Sequence, residues 1–340
     1  MKLRAAIEAA VAGREVDAAA LESAFGEIMD GEASPVAIAS LLVALRTKGE
    51  TVPEIVAAAR ALRARATTAT VKDPRTVDTC GTGGDGANTF NISTTAAFVV
   101  AGAGVSVAKH GNRAASSQSG SFDVLEALGI RIDLPIDVCA QILDEIGIAP
   151  FFARTAHQAM RHVADVRQEL GIRTIMNCLG PLLNPVGARY QVVGVYDAAL
   201  LEPLARALGE LGAVRALVVR GEDGLDEFTT VGRSDAVLWD AGKLEHLQVT
   251  PESLGLPRAD PAQLAGGDVA HNAAILEAIL AGETGARRDI VALNAAAALW
   301  VAGAAQDLPS ALALADESLA SGAAQQRLRA LVRATQEVGA

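Results

Sequence analysis

The stretch "RTVDTCGTGGDGANTFNISTTAAFVVAGAGVSVAKH", Arg75 to His110, decides the fold. "RTVDTC" reads as a strand, and a loop carrying Gly81, Gly83, Gly84 and Gly86 follows it. "TTAAFVVAGAG" then reads as a helix ended by glycine, and "VSVAKH" as the next strand. Strand, loop, helix and strand in that order predict a parallel sheet. The loop itself is too polar and too rich in glycine to build core, so its composition points to a ligand.

Downstream, "DVLEALG" reads as a capped helix, "ALVVRG" and "AVLWDAG" as strands, and "AHNAAILEAILAG" and "DIVALNAAAALWVAG" as late helices. Upstream, the first seventy residues are helical in pattern. Leu21, Phe25, Ile28 and Met29 share a helix face that Gly31 ends. Ser34-Pro35 starts a helix whose stripe is Ile38, Leu41, Leu42 and Leu45, because serine caps and proline is tolerated in the first turn. Thr51 and Glu54 bracket Val52-Pro53 as a capping box for a third helix with Ile55, Ala59 and Leu62. "RHVADVRQELGIRTIMNCLGPLLNP" returns to helical character and crosses back toward this N-terminal part. The expected fold class is α/β: a small helical domain over residues 1–70, with a returning segment near 166–184, on an α/β domain over 71–340 with a central, mostly parallel sheet.

The bulk numbers narrow the function. About half of the 340 residues are apolar and a fifth charged, the composition of a globular protein. A net charge of -11 argues against a general nucleic-acid or anionic-membrane surface, since such binders cluster positive charge. Cys80, Cys139 and Cys178 are odd in number and lack CxxC spacing, which suggests neither a disulfide framework nor a zinc site. "MKLRAAIEAAVAGREVD" reads as an amphipathic helix rather than a signal peptide, and no apolar run reaches transmembrane length. The expected location is the cytoplasm.

Glycines let a backbone approach a ligand closely, and successive N–H groups before a helix N-terminus make an anion site. No GKS or GKT occurs, so this is not a phosphate loop of the lysine type. Gly81, Gly83 and Gly86 match the letters of a dinucleotide fingerprint, but eight residues, Ala87 to Thr94, separate them from the expected helix. The acid required about twenty residues on is also missing, so a nicotinamide cofactor is rejected. Past the next strand comes "KHGNRAASSQSGS", with two cations and several serines. In a parallel sheet both segments lie at the carboxyl ends of strands, where ligands bind. Two anion-binding loops side by side suit a ligand with separated phosphates.

"GTGGDGANTFNIST" followed by "AKHGNRAASSQSGSFDVLEALG" closely resembles the anthranilate phosphoribosyltransferase family of tryptophan biosynthesis. So do "MRHVADVRQELGIRTIMNCLGPLLNP", "GLDEFTT" and the N-terminal "EIMDGEASPVAIASLLVALRTKGET", so the likeness runs over nearly the whole chain. It implies a phosphorylase- and phosphoribosyltransferase-like fold, transfer of phosphoribosyl from phosphoribosyl pyrophosphate to the amine of anthranilate, and magnesium, two ions per active site. By motif, it implies that Gly81, Gly84, Asp85, Thr89, Asn91, Ile92, Ser93 and Thr94 line the phosphoribosyl pyrophosphate site. Lys109, His110, Gly111, Asn112, Arg113, Ala114, Ala115, Ser116, Ser117 and Ser121 complete it. Gly81, Asn112 and Arg167 match the anthranilate positions, and Ser93, Asp226 and Glu227 the metal positions. A homodimer through the N-terminal helices and association with a glutaminase or anthranilate synthase partner are further implied, without a glutaminase fused into this length. Phe122 stands where the family's "GSADVLE" has a small residue, and Gln158 where "HPAM" has proline; both bear on the pocket wall.

The residues support that chemistry. Pyrophosphate leaves well once its charge is neutralised, and Asp226 and Glu227, adjacent in a glycine-containing turn, suit a hard cation. Taken alone, the pair also reads as a solvated turn, Ser93 as a helix cap, Arg167 and Lys109 as surface charges, and Asn112 as a turn former. The guanidinium of Arg167 matches a carboxylate in bidentate fashion. His110 orients a loop rather than acting as a base; His157 and His162 read as structural or exposed. No catalytic acid or base is expected, because an aromatic amine is neutral near pH 7; positioning and charge stabilisation carry the reaction, with inversion at the anomeric carbon. The alternatives are a pyrimidine nucleoside phosphorylase, which has no use for the acidic pair, and a nucleic-acid-binding relative, against which the overall acidity argues.

Overall fold

A computed structural model describes residues 2–114 and 118–338. Four helices open the chain: α1 (Lys2–Val11), α2 (Ala18–Met29), α3 (Pro35–Lys48) and α4 (Val52–Arg63). Side chains cap the starts of α2 and α3, the second as the sequence predicts. Asp17 accepts from the Ala20 N–H and Ser34 from the Ala37 N–H, with Pro35 as the first residue of α3. Glu54 is fully buried and accepts from the N–H groups of Thr51 and Val16 and from Lys48, so one carboxylate ties three segments of the bundle.

The chain then forms β1 (Val77–Gly81), α5 (Ile92–Gly102), β2 (Val107–Gly111), α6 (Ser121–Ala127), α7 (Ile136–Ile146) and β3 (Ile148–Phe152). It returns to the bundle through α8 (Ala153–Ala156), α9 (Arg161–Leu170) and α10 (Met176–Leu179). β4 (Tyr190–Gly194), α11 (Leu201–Glu210), β5 (Arg215–Gly221), β6 (Ser234–Asp240) and β7 (Lys243–Val249) complete the sheet. Helices α12 (Val269–Leu280), α13 (Ala286–Val301), α14 (Leu308–Ala320) and α15 (Ala323–Glu337) end the described chain.

The seven strands run in the order β3-β2-β1-β4-β5-β6-β7. Pairing is parallel from β3 to β5 and antiparallel from β5 to β7. The chain proceeds outward from β1 to β3, then jumps back to lay β4 on the other side of β1. That reversal opens a crevice at the carboxyl ends of β1 and β4, the ordinary place for a ligand in such a sheet. Gly81 and Gly194 are register partners at that end.

Successive strand residues face opposite sides, and two cores follow from this alternation. Val192, Leu217, Val219 and Leu238 join the core under α5, α12, α13, α14 and α15. Val193, Ala216, Val218 and Val237 join the other core, with α11, the α9–α10 segment and the N-terminal bundle. The bundle therefore shares its core with one face of the sheet. Helix α5 starts at Ile92, two residues before the sequence suggests, because Phe90 and Ile92 are both buried and draw the chain inward early. Among the described residues, no helix is long and apolar enough to cross a membrane.

Candidate active site

The crevice is floored by the turn after β5. Leu225 and Phe228 are buried and anchor it, leaving Asp226 and Glu227 between them partly exposed. Asn294 of α13 clamps the turn by exchanging two hydrogen bonds of 2.9 Å with the Phe228 backbone. A Cβ at Gly81 would stand 2.3 Å from Asp226 Oδ2, and one at Gly194 1.4 Å from the Asp226 carbonyl oxygen. Only glycine at both strand ends lets the acidic turn lie over β1 and β4.

Asp226 Oδ2 accepts from the Gly83 N–H at 2.8 Å, and Glu227 Oε1 from the Ser93 N–H at 3.1 Å. Burial pushes the Asp226 carboxyl well above the ordinary carboxylate range, and the neighbouring Asp85 pushes it further. Glu227 is raised in the same way, by burial and then by Asp226, with Lys109 opposing. Among the described residues, no three or more His, Cys, Asp or Glu side chains converge on a point that could hold a metal. Hydroxyl and carboxylate oxygens of Ser93, Asp226 and Glu227 nonetheless suit magnesium, which takes one or two protein carboxylates and completes its shell with water and substrate phosphate. The mutual repulsion of the carboxylates is what a cation relieves. The donor set fits.

Over this floor runs the glycine loop. Gly83, Gly84 and Gly86 all have left-handed φ, of 65°, 76° and 73°, and so does Asn88 at 52°. Asp85 holds the turn by accepting from the Ala87 N–H at 3.2 Å. The far end is stitched to residues 264–266: Thr89 bridges Ala265, and the Gly266 N–H donates to the Asn88 carbonyl at 2.9 Å. Asn91 caps α5 in position but not by its side chain; its Oδ1 accepts from Asn272 at 3.1 Å and Ser119 at 3.4 Å. The Ile92 side chain belongs to the core, so a role for it at a ligand is left to its backbone. Thr94 is buried with its hydroxyl unpartnered. Ser93 sits inside the first turn of α5 and is not its cap.

The second loop, after β2, rests on a buried polar layer. Lys109 is buried, and its ammonium donates to the Thr79 carbonyl; a surface-charge reading of this residue is wrong. Asp78, fully buried in β1, accepts from the His110 N–H at 3.1 Å. His110 and His157 are both buried and meet edge to face, ring centroids 5.3 Å apart. Burial lowers His110 to about 3, with His157 and Lys109 adding to it, and lowers His157 to about 4. Both rings are uncharged at neutral pH. His157 is thus structural; His162 is partly buried.

Asn112 is exposed at the tip, its carbonyl accepting from the Phe122 N–H and the Ser121 hydroxyl, each at 3.3 Å. Arg113 is engaged by Asp123 at 3.3 Å and Glu126 at 2.7 Å, and Asp123 Oδ2 also accepts from Ala114 and Gly120 N–H groups. Gly111 lies against Ser121 and the Phe122 ring, where a Cβ would come within 2.7 Å and 2.9 Å. Phe122 itself is fully buried and stacks on Phe152 at 5.1 Å, so it fills core behind the loop. Ala115, Ser116 and Ser117 lie outside the described residues. Gln158 is exposed.

Arg167 lies on α9, which packs against α2 and α3 on the bundle side of the crevice. It is partly buried, burial lowers its pKa, and it forms no ion pair among the described residues. The structure adds residues that sequence reading missed. Arg173 reaches from the α9–α10 link to the Gly84 carbonyl, Asn272 and Asn294 brace the loops from α12 and α13, and Asp78 underlies β2. Of these only Arg173 had a visible signal, six residues past Arg167 in the quoted helical segment.

Residues 73–325 match the glycosyl transferase family α/β domain, and residues 4–66 match its helical bundle domain. Anthranilate phosphoribosyltransferase of Moorella thermoacetica is 56% identical over 330 residues, covering 97% of each chain. The crystal structure of anthranilate phosphoribosyltransferase from Thermus thermophilus superposes with a TM-score of 0.93 at 45% identity, covering 98% of this chain and 99% of that one. The Saccharomyces cerevisiae enzyme in complex with phosphoribosyl pyrophosphate and magnesium superposes with a TM-score of 0.90 at 28% identity, covering 98% of both chains. With its glycine loop over a paired-carboxylate turn, and with likeness along almost its full length, the chain belongs to the anthranilate phosphoribosyltransferase family.

Proposed function

We propose that this protein transfers the phosphoribosyl group of phosphoribosyl pyrophosphate to the amine of anthranilate, releasing pyrophosphate, in the second step from chorismate to tryptophan. The observation that carries this reading is the Asp226–Glu227 turn, drawn over Gly81 and Gly194 and bonded to the glycine loop through Gly83 and to the first turn of α5 through Ser93. Magnesium supplies the charge neutralisation that makes pyrophosphate a leaving group; Ser93, Asp226 and Glu227 hold it, with two ions per site. Backbone N–H groups of the glycine loop and of the α5 N-terminus bind phosphate oxygens. Lys109 acts from below as a fixed positive charge near Glu227. Asn112 holds the acceptor, and the Arg167 guanidinium, free of a carboxylate partner among the described residues, receives that of anthranilate.

No general base takes part. The amine lone pair is available at neutral pH, and His110, lowered to about 3, is too weak a base to take a proton there. The site contributes by aligning amine and pyrophosphate on opposite faces of the anomeric carbon, which inverts that centre. The enzyme works as a cytoplasmic homodimer. Val36 and Val43 of α3 and Val11 at the end of α1 are exposed and supply apolar surface for the contact. An anthranilate synthase partner, with the glutaminase that supplies it with ammonia, is the matching source of acceptor.

The deciding experiment follows anthranilate fluorescence with phosphoribosyl pyrophosphate, with and without magnesium. We expect a magnesium-dependent loss of signal and equimolar pyrophosphate. An unchanged signal in both arms, with thymidine cleaved in phosphate or salt-sensitive retention on DNA, overturns the reading.

A further inference from the structure

We propose that Arg173 is a positioning residue that latches the glycine loop to the helix carrying Arg167, and so sets the spacing of the two substrates; this rests on the transferase reading above. Helix α9 ends at Gly171, whose left-handed φ of 58° turns the chain out of the bundle while its N–H still bonds the Arg167 carbonyl at 3.2 Å. Two residues later Arg173 leaves the bundle side. Its root is fixed there, because Ile175 and Met176 are buried in the bundle-side core. Its guanidinium crosses to the other wall of the crevice, where Nη2 donates to the Gly84 carbonyl.

The same guanidinium lies over the Tyr196 ring, with Cζ 3.9 Å from the ring centroid. Tyr196 follows β4 by two residues, and its own N–H donates to Thr82 Oγ1 at 3.1 Å. Thr82 in turn donates its N–H to the Gly194 carbonyl at 2.9 Å. Thr82, Tyr196, Arg173 and Gly84 thus form a closed circuit, two members in the loop and two outside it. Arg173 is the member that brings in the bundle side. Arginine suits the post because its planar fork donates in plane while its face stacks on an aromatic ring; a lysine ammonium is a point charge without that face. The residue is solvent-exposed, so an arginine with no such task would range freely.

The test compares Arg173→Ala, Arg173→Lys, Tyr196→Phe, Tyr196→Leu and the double variant Arg173→Ala/Tyr196→Leu, with steady-state kinetics and amide hydrogen exchange across residues 82–88. Losing a charge-assisted hydrogen bond to the loop should raise KM for phosphoribosyl pyrophosphate about tenfold in Arg173→Ala, with kcat within about twofold. Exchange of residues 82–88 should speed up without change in the rest of the α/β domain. Tyr196→Phe keeps the ring and should match wild type, Tyr196→Leu should reproduce the arginine loss, and Arg173→Lys should recover less than half of it. The double variant should be no worse than the single ones, since both break one circuit. Additive losses, or an Arg173→Ala enzyme with unaltered KM and loop exchange, overturn the latch. If wild type forms no phosphoribosyl anthranilate, the transferase reading fails, and the exchange comparison alone decides the latch.

Discussion

The loops after β1 and β2 lie side by side at one end of the sheet, yet they are held in opposite ways. The first is held from outside: Gly83 by Asp226, Gly84 by Arg173, Asn88 by Gly266 and Asn91 by Asn272. The second largely holds itself, through Asp123 of the helix it leads into, which takes the Ala114 and Gly120 N–H groups and Arg113. The first loop therefore responds to whatever occupies the carboxylates beneath it. The described part of the second, Asn112 to Ala114 and Gly120, is tied to the helix it leads into. A site that must bind a highly charged phosphate ester and then release pyrophosphate gains from having one wall of each kind.

The largest expected effect comes from removing the first loop's acidic floor. Asp226→Asn with Glu227→Gln keeps size and hydrogen-bonding capacity but removes both charges. Activity should drop on the order of a hundredfold to a thousandfold, the loss typical of removing a group that stabilises charge in a transition state. Titrating magnesium should no longer restore it. If the double variant keeps wild-type magnesium dependence, the acidic turn is not the metal site and the contrast between the loops loses its functional half.

Breaking the second loop should cost stability before it costs chemistry. Asp123→Ala strands two backbone donors and leaves Arg113 with Glu126 as its remaining carboxylate partner. Unfolding free energy should fall by about 2–3 kcal/mol, read as a denaturant midpoint, with no change in magnesium dependence. A loss of magnesium response without a loss of stability would show that the second loop, too, is held by the metal site.

The contrast also explains what the sequence could reveal. Helices α2 to α4 and the β1-α5-β2 unit were legible because their buried faces keep a period and α3 and α4 open on recognisable cap residues, and Leu21, Phe25, Ile38, Leu41 and Ile55 are all buried as the spacing requires. The second loop closes on residues within one motif, so its glycines and serines could be read together. The first is fastened by side chains more than eighty residues away, and no local pattern encodes those pairings. Asn272 and Asn294 look like ordinary helix residues until the fold brings them to a loop. The burial of Lys109 was hidden for a related reason: a lysine at a strand end is normally solvated, and only the layer formed by Asp78 and Glu227 makes its burial tolerable. The α5 boundary was misplaced because Phe90 and Ile92 break the polar run that the eye follows.

The smallest expected effect is the most specific to the first loop. Asp226 and Glu227 titrate above the ordinary carboxylate value of about 4, so between that value and the neutral range the folded protein holds more protons than the unfolded chain. Stability from these groups is therefore present in acid and lost as pH rises through the neutral range. Exposed carboxylates such as Asp30 and Glu252, lowered by their arginine partners Arg65 and Arg258, act in the opposite sense, with stability lost in acid. They act equally with and without metal. The informative quantity is thus the gain in Tm on adding magnesium at matched ionic strength, measured at pH 5.5 and pH 8.5. A cation takes the place of the proton that the acidic floor retains, so the gain should be about 2 °C larger at the higher pH. It should vanish in the Asp226→Asn/Glu227→Gln protein but persist in Asp123→Ala. Equal gains at both pH values, or a gain that survives loss of both acids, would place the metal-linked proton elsewhere and leave the two loops alike in their independence of it.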